Sequence, residues 1–597
     1  NIGTDDEEVK TAEPNIMGGQ YGLYINNATA NYYDGILKGT EAAVYGFIFG
    51  LPDGYTIKTD EETISEIEYD IAYLEEGTDF VKVGENTYNS LNAAIGAITT
   101  EGTMELIADS SIKADVIIPS DKDIKLSLAG HSLAFSKQFT NNGTLTIEDE
   151  STTQSGGIVC NINYCINNNG VLYIESGTYT GDHNIVYSKG TFTLNGGSIE
   201  VLNGQEDNTR AIVMSGNTAK TIINDGLIKI TEHINGEASG IYIDKSDSTV
   251  EINGGEIRLE DLASSSYGIN ATSISYGNVN ITGGDIVVRT NGRAYSSYGV
   301  NAKNVTMRGG TIDVQSEGVT VKGLNTSSYE LTGGSIDISS SYNDTSYSTS
   351  IRALEGTGTI TNNPTIKSSH ICAYGSTTIN SGTFECGTFG IVGYGKVTIK
   401  MLSGTINSGL TGIYFTYTGS SRPTGIITGG TIVSREQYGI YYSSGNTSYS
   451  LTIGEKGSGI DVASPMVRGK TYGAYVYSGT FNFYDGILKG QTAAYQGTIN
   501  NIEENSLVNS DSEMIDEDEY FTAYLLNQTD IVKNLNQTEN NTYKNLQTAI
   551  DSATSGDSLE FIDNASLFYQ LSIPSGMVIN LNMNGYSITT SKDIFNN

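Results

Sequence analysis

The chain has 597 residues, a formal net charge of −36, 71 Gly but only 7 Pro, and 37% hydrophobic residues that are mainly β-branched or Tyr. That acidity excludes phosphate-backbone recognition, which relies on clustered Lys and Arg, so no nucleic-acid partner and no anionic-lipid partner is expected. No apolar run approaches the roughly 18 residues of a membrane span, and glycine without a Gly-X-Y period excludes collagen, so many short strands joined by tight turns are expected.

In chain order, residues 1–39 read as the end of one β-helix unit, closing on Tyr33-Asp34-Gly35-Ile36-Leu37-Lys38-Gly39. Residues 40–86 carry Glu61-Glu62 and the acids onward to Asp70, and read as an acidic connector between units with a strand or hairpin around 55–74. A capping helix is expected over 87–102, because Leu91, Ile95 and Ile98 fall at i, i+4 and i+7 before a stop at Gly102. Residues 103–490 form the main repeat region. A second acidic connector, 491–541, holds Asp516-Glu517-Asp518-Glu519; a second capping helix, 542–556, repeats the stripe as Leu546, Ile550 and Ala553 before Gly556; and 557–597 begin another unit. Pro465 to Asn597 thus retraces Pro14 to Asn142, with Tyr484–Gly490 matching Tyr33–Gly39 letter for letter. The expectation is a window of about one and a third periods of a tandem array.

Within 103–490 lies a finer period. Asn195-Gly196-Gly197-Ser198-Ile199, Asn224-Asp225-Gly226-Leu227-Ile228, Asn253-Gly254-Gly255-Glu256-Ile257, Thr282-Gly283-Gly284-Asp285-Ile286, Arg308-Gly309-Gly310-Thr311-Ile312 and Thr332-Gly333-Gly334-Ser335-Ile336 recur every 24 to 29 residues. Apolar residues alternate on both sides of each pair, as Val250 and Ile252 before and Ile257 and Leu259 after, which is the period of a strand with one buried face. A third segment, such as Tyr267-Gly268-Ile269 or Tyr438-Gly439-Ile440, precedes these two. Three short strands per period of about 25 residues predict an all-β fold: a right-handed, three-faced parallel β-helix solenoid with capping helices and connectors. Helical solenoids are disfavoured because Gly-Gly would break each helix, and propeller blades need four strands over about 40 residues. Some seventeen coils would give a rod on the order of 80 Å long.

Chemistry-bearing residues are sparse. Cys160, Cys165, Cys372 and Cys386 form no CxxC or zinc spacing with the scattered His131, His183, His233 and His370. The cysteines read as buried small apolar side chains, with a Cys372–Cys386 bridge as the alternative in an oxidising compartment. The acidic runs, including Asp5-Asp6-Glu7-Glu8, read as solvated surface; structural Ca²⁺ is the alternative, and no cofactor is expected. Asp285, Asp313 and Asp337 follow Gly-Gly pairs at similar depth but read as outward strand positions. No Asn-Thr-Asp, Asp-Asp and His-Gly set of the polygalacturonase type is present in the coils, and Arg422, Arg468 and Lys470 are single basic fragments that complete no lyase-type motif in the sequence.

The run Thr-Tyr-x-x-Leu-x-x-Ala-Ile at 87–95 and 542–550, the Ile-Pro-Ser at 118–120 and 573–575, the Leu-x-Leu-x-Gly-x-Ser-Leu at 126–133 and the Gly-Gly-Thr-Ile coils resemble the β-helix units of very large surface proteins of Gram-positive anaerobes. That resemblance implies a pectate-lyase-like β-helix, secretion and a cell-surface or fibre setting. The function expected is a non-enzymatic structural repeat of an extracellular fibre or stalk, whose partners are adjacent units of the same tandem chain and laterally associated copies. An adhesin gripping glycan or a cell surface through a lateral face is the alternative, with Tyr242, Tyr414, Tyr417, Tyr441 and Tyr442 as its candidate residues; a polysaccharide lyase or glycoside hydrolase is the third reading. Surface proteins of this kind also carry Lys–Asn or Lys–Asp isopeptide crosslinks, which singles out Asp34 with Lys38 and Asp485 with Lys489; the plain alternative there is a turn flanked by an ion pair.

Overall fold

The computed structural model describes residues 1–597 apart from 4–12, 27–29, 47, 113, 203, 205–207, 232–235, 263–264, 292–295, 418–421, 443–449, 540, 568–569, 591–593 and 597. The acidic run at 5–8 and His233 therefore lie outside the described residues. The fold is an all-β parallel β-helix of about 17 turns, with coils about 26 residues apart. Two compact units make up the chain, Asn1–Ser327 with Ser340–Tyr342, and Ser328–Ser339 with Asn343–Asn597.

One coil of the first unit shows how sequence becomes structure. Strands Leu227–Thr231, Glu237–Ile243 and Thr249–Ile252 make its three faces, and each pairs in parallel with its counterpart one coil on: Glu256–Leu262, Ser265–Ala271 and Asn278–Ile281. Register follows the alternation, with Ile228 on Ile257, Ile241 on Ile269 and Val250 on Val279. All six are buried to within 1%. Burial of each such side chain contributes about 1.5–3 kcal/mol against the entropy of ordering the chain.

The corner between two faces explains the glycine pair. At Gly254 an added Cβ would lie 2.3 Å from the Asn224 carbonyl oxygen of the preceding coil, whereas Gly255 has φ +71. The first glycine is needed for close approach, the second for a left-handed turn. Just before the pair, Asn224 Nδ2 donates to Asn195 Oδ1 at 2.7 Å, Asn253 Nδ2 to Asn224 Oδ1 at 2.9 Å and Thr282 Oγ1 to Asn253 Oδ1 at 2.8 Å. A second ladder is internal: Asn141 Nδ2 donates to Asn168 Oδ1 at 2.9 Å, and Asn168 Nδ2 to Ser188 Oγ at 3.0 Å and the Thr191 carbonyl at 2.8 Å. Both amides are fully buried, and their polar groups are satisfied by hydrogen bonds running along the column.

The duplicated segments fold alike. Ile36–Gly39 pairs in parallel with Asn15–Met17 and antiparallel with Ile67–Glu76, which forms a ten-register hairpin with Tyr55–Ile64. In the other copy Ile487–Gly490 pairs in parallel with Met466–Arg468 and antiparallel with Asp518–Asn527, whose hairpin partner is Ser506–Ile515. Parallel coil pairing runs past the boundaries drawn at 39 and 490: Ala42–Tyr45 and Ile48–Gly50 pair with Tyr21–Tyr24 and Ala30–Asn31, and Ala493–Gln496 and Ile499–Ile502 pair with Tyr472–Val476 and Thr480–Phe483. These strands lack a Gly-Gly corner, which is why their pattern is faint in sequence.

Helix α1 (Leu91–Ala97) and helix α2 (Leu546–Asp551) are shorter than the segments 87–102 and 542–556; α1 buries Leu91 and Ile95 of the expected stripe together with Ala94, with Ile98 buried at its C-cap, and α2 buries Leu546 and Ile550 together with Ala549, while Ala553 lies past its end and is only partly buried. Each is fastened to a strand by one amide side chain. Asn92 donates to the Asp115 carbonyl at 2.9 Å and accepts from Ile117 N at 3.3 Å; Gln547 donates to the Ser572 carbonyl at 2.9 Å and accepts from Ser572 N at 2.8 Å. Lys122 Nζ closes the C-terminal end of α1 on the Ile95 and Ile98 carbonyls, both at 2.5 Å.

The cysteines correct the expectation of free apolar side chains. Cys160 is bridged to Cys165 and Cys372 to Cys386, with Cα separations of 5.7 and 5.5 Å. Parallel stacking and a tight corner bring each pair inside disulfide reach, which linear spacing does not reveal. All four remain buried.

Asp149 organises the longest turn of its coil. Burial disfavours its charge, yet it accepts from Gly156 N at 2.7 Å, Ser151 N at 3.1 Å, Ser151 Oγ at 3.0 Å and Gly130 N at 2.8 Å, and these donors hold its carboxyl below the usual aspartate range. A depressed folded-state value means that the stabilisation is present above the unfolded pKa of about 3.9 and disappears as pH falls through the folded value. Hydrogen exchange at Gly130, Ser151 and Gly156 is expected to be protected at neutral pH and to accelerate below about pH 4 relative to neighbouring coils; unchanged protection at that pH would refute the role given to Asp149.

Candidate functional site

One face of the solenoid collects tyrosines. Its strands begin Tyr-Gly-Ile, and alternation sends the isoleucine inward and the next residue outward. In the second unit this builds a column: Tyr347 stacks on Tyr414 at 4.9 Å, Tyr414 on Tyr441 at 5.2 Å and Tyr441 on Tyr475 at 5.2 Å, with interplanar angles of 20°, 16° and 25°. Phe389 meets Tyr414 edge-on, and Ile371 and Val392 are buried beneath as a small apolar cluster separate from the tube core. Burial, reinforced by neighbouring tyrosines, pushes the Tyr438 and Tyr441 phenols up, so they act as neutral donors and not as bases.

The five tyrosines singled out from sequence fall into different settings. Tyr414 and Tyr441 belong to the column, where each presents its faces to other rings. Tyr242 carries the Arg210 guanidinium 3.5 Å from its ring centroid and its hydroxyl accepts from Thr272 Oγ1 at 2.9 Å. Tyr417 is 40% exposed with Arg422 at 4.8 Å. Tyr442 is not an exposed candidate: it is 1% exposed and donates to the Pro423 and Ser450 carbonyls at 2.9 and 3.0 Å. It lies two positions after Ile440 and therefore shares the inward side.

The proposed crosslink residues form a matched arrangement in the two copies. Lys38 pairs with Glu62 of the first hairpin, and Lys489 with Glu513 of the second at 2.5 Å. Asp34 accepts from Gly35 N at 2.7 Å; Asp485 accepts from Gly486 N at 2.8 Å and Asp461 N at 2.6 Å. Burial, with Asp461 and Glu503 nearby, pushes the Asp485 carboxyl up against those donors. Each lysine thus ties a closing strand to its hairpin.

Asp313 is engaged by Arg289 and Asp285 by Thr311 Oγ1, so neither stands as an unengaged acid or base. Among the described residues no group of three or more His, Cys, Asp or Glu side chains is arranged to hold a metal ion. One feature escapes sequence reasoning: a cavity of about 240 Å³ where the second hairpin meets α2, with Tyr484, Asn501, Ile502, Asn505, Gln528 and Asn545 in its wall. Its residues run from Lys456 to Asn545 and share no motif. No known protein family, curated protein or solved structure matches the chain.

Proposed function

We propose that this chain is a non-enzymatic structural repeat of an extracellular bacterial surface fibre or stalk built from tandem, pectate-lyase-like β-helices. The observation that carries this reading is the duplicated joint: a closing strand, an antiparallel hairpin tied to it by a lysine, and a short helix docked by one amide side chain occur in both copies. A joint repeated in such detail suits a chain whose work is to connect one solenoid unit to the next. The polar and aromatic columns support the same reading, because their functional groups are engaged with one another along the column. Two disulfides favour an oxidising, extracellular setting, and the resemblance to surface proteins of Gram-positive anaerobes points the same way.

Electron microscopy of the native polypeptide, with its intact mass, tests the proposal. Thin filaments with an axial repeat on the order of 80 Å are expected from stacking about 17 coils at strand spacing. Compact particles of 63.7 kDa would refute it. The same mass reads the crosslink idea: retention of the full sequence mass, less only the hydrogens of the disulfides, would eliminate a Lys–Asp amide.

A further inference from the structure

The two copies of the joint differ where the helix meets the base of the hairpin. At the first, Ser90 Oγ donates to Asp53 Oδ2 at 2.5 Å and Asn89 Nδ2 to the Gly54 carbonyl at 3.2 Å, stitching helix to hairpin and leaving a space of about 80 Å³. At the second, the stitch is missing. Both residues cap their helix, Ser90 Oγ accepting from Ala93 N at 3.0 Å and Asn545 Oδ1 from Gln547 N and Thr548 N at 2.8 and 3.2 Å, but only Ser90 also reaches the hairpin, and the space at the second joint is about 240 Å³. The backbone is otherwise conserved between copies: Gln528 N donates to the Asn505 carbonyl at 2.8 Å as Gly77 N does to the Gly54 carbonyl at 2.7 Å.

Into this wall the second copy introduces side chains where the first has glycine, Gln528 for Gly77 and Asn505 for Gly54. Gln528 is 5% exposed, and its Nε2 has no hydrogen-bond partner. A buried donor left unpaired is costly in the empty site and is satisfied once an acceptor enters.

We propose that this second junction is a binding site for a single neutral sugar ring. The wall combines amides, which supply a donor and an acceptor side by side as vicinal hydroxyls require, with the Tyr484 ring and Ile502 to cover an apolar ring face. The volume lies just under the roughly 300–1,000 Å³ of pockets that enclose drug-sized ligands, so it takes one ring and not a length of chain. Glu503 and Glu504 outnumber Lys456 in the same wall, so its net charge is negative and opposes an anionic ligand.

The test is saturation-transfer NMR and calorimetry on the full chain, with glucose, galactose and N-acetylglucosamine as probes and glucuronate as the charged control. At least one neutral sugar is expected to bind. Gln528→Gly and Asn505→Gly, each placing the first joint's own residue at the same backbone position, are expected to weaken it about tenfold or more, with an unchanged circular dichroism spectrum. Absence of binding by all three neutral sugars, full binding by both variants, or tighter binding of glucuronate would overturn the proposal. Filament imaging of the same samples reads the fibre function separately.

Discussion

Gly268→Val is expected to lower the stability of the first unit by about 3 kcal/mol or more, seen as a shifted denaturation midpoint. Gly268 sits in a Tyr-Gly-Ile strand, where an added Cβ would fall 2.3 Å from Ile286 Cγ2 and 2.7 Å from the Gly299 carbonyl oxygen. Ile286 is fully buried, and the carbonyl belongs to the backbone of the adjoining coil, so neither can retreat without spoiling the stack. Each coil draws its stability from its neighbours, and the damage is felt on both sides of the substitution. Gly96→Ala in α1 is the control: its Cβ would meet nothing within 4 Å, and helix propensity predicts a gain of up to about 1 kcal/mol. Equal effects from the two substitutions would show that coil stacking is looser than the contacts imply.

Reduction of the disulfides is expected to produce the second large effect. The Cys372–Cys386 bridge spans a sequence separation of 14, for which loss of the constraint on the unfolded chain corresponds to about 3 kcal/mol. Cys160–Cys165 spans only 5 and contributes less by the same reasoning. Thiol titration of the unfolded, unreduced chain is expected to detect no free thiol, and the denaturation midpoint of the second unit is expected to fall when reductant is added. Four titratable thiols in protein isolated from its source would contradict the pairing and remove the support that the bridges give to an extracellular setting.

The coil architecture was legible because its two demands leave marks at fixed spacing. Gly254-Gly255 records a corner with no room for a Cβ followed by a left-handed residue, and Val250, Ile252, Ile257 and Leu259 record the inward side. Both are local. The cysteine pairing was not legible, since Cys372 and Cys386 become neighbours only through the stacking of strands. Tyr442 shows information that was present and misjudged: the parity set by Ile440 already placed it inside, as it places Phe415 two positions after Ile413. The junction cavity could not be read at all, because Gln528 and Asn505 acquire meaning only when the hairpin and α2 are superposed on their counterparts, where glycine stands instead.

The antiparallel hairpins have a consequence for growth. The last coil of a parallel stack presents an edge of unpaired backbone groups on which another coil, from this chain or a different one, can continue the sheet. At Ile36–Gly39 and Ile487–Gly490 that edge is taken by a strand running the opposite way, so the face that ends there cannot recruit a further parallel strand. On that face, then, the number of stacked strands is written into the chain itself, and changing it requires inserting or deleting coils ahead of the hairpin.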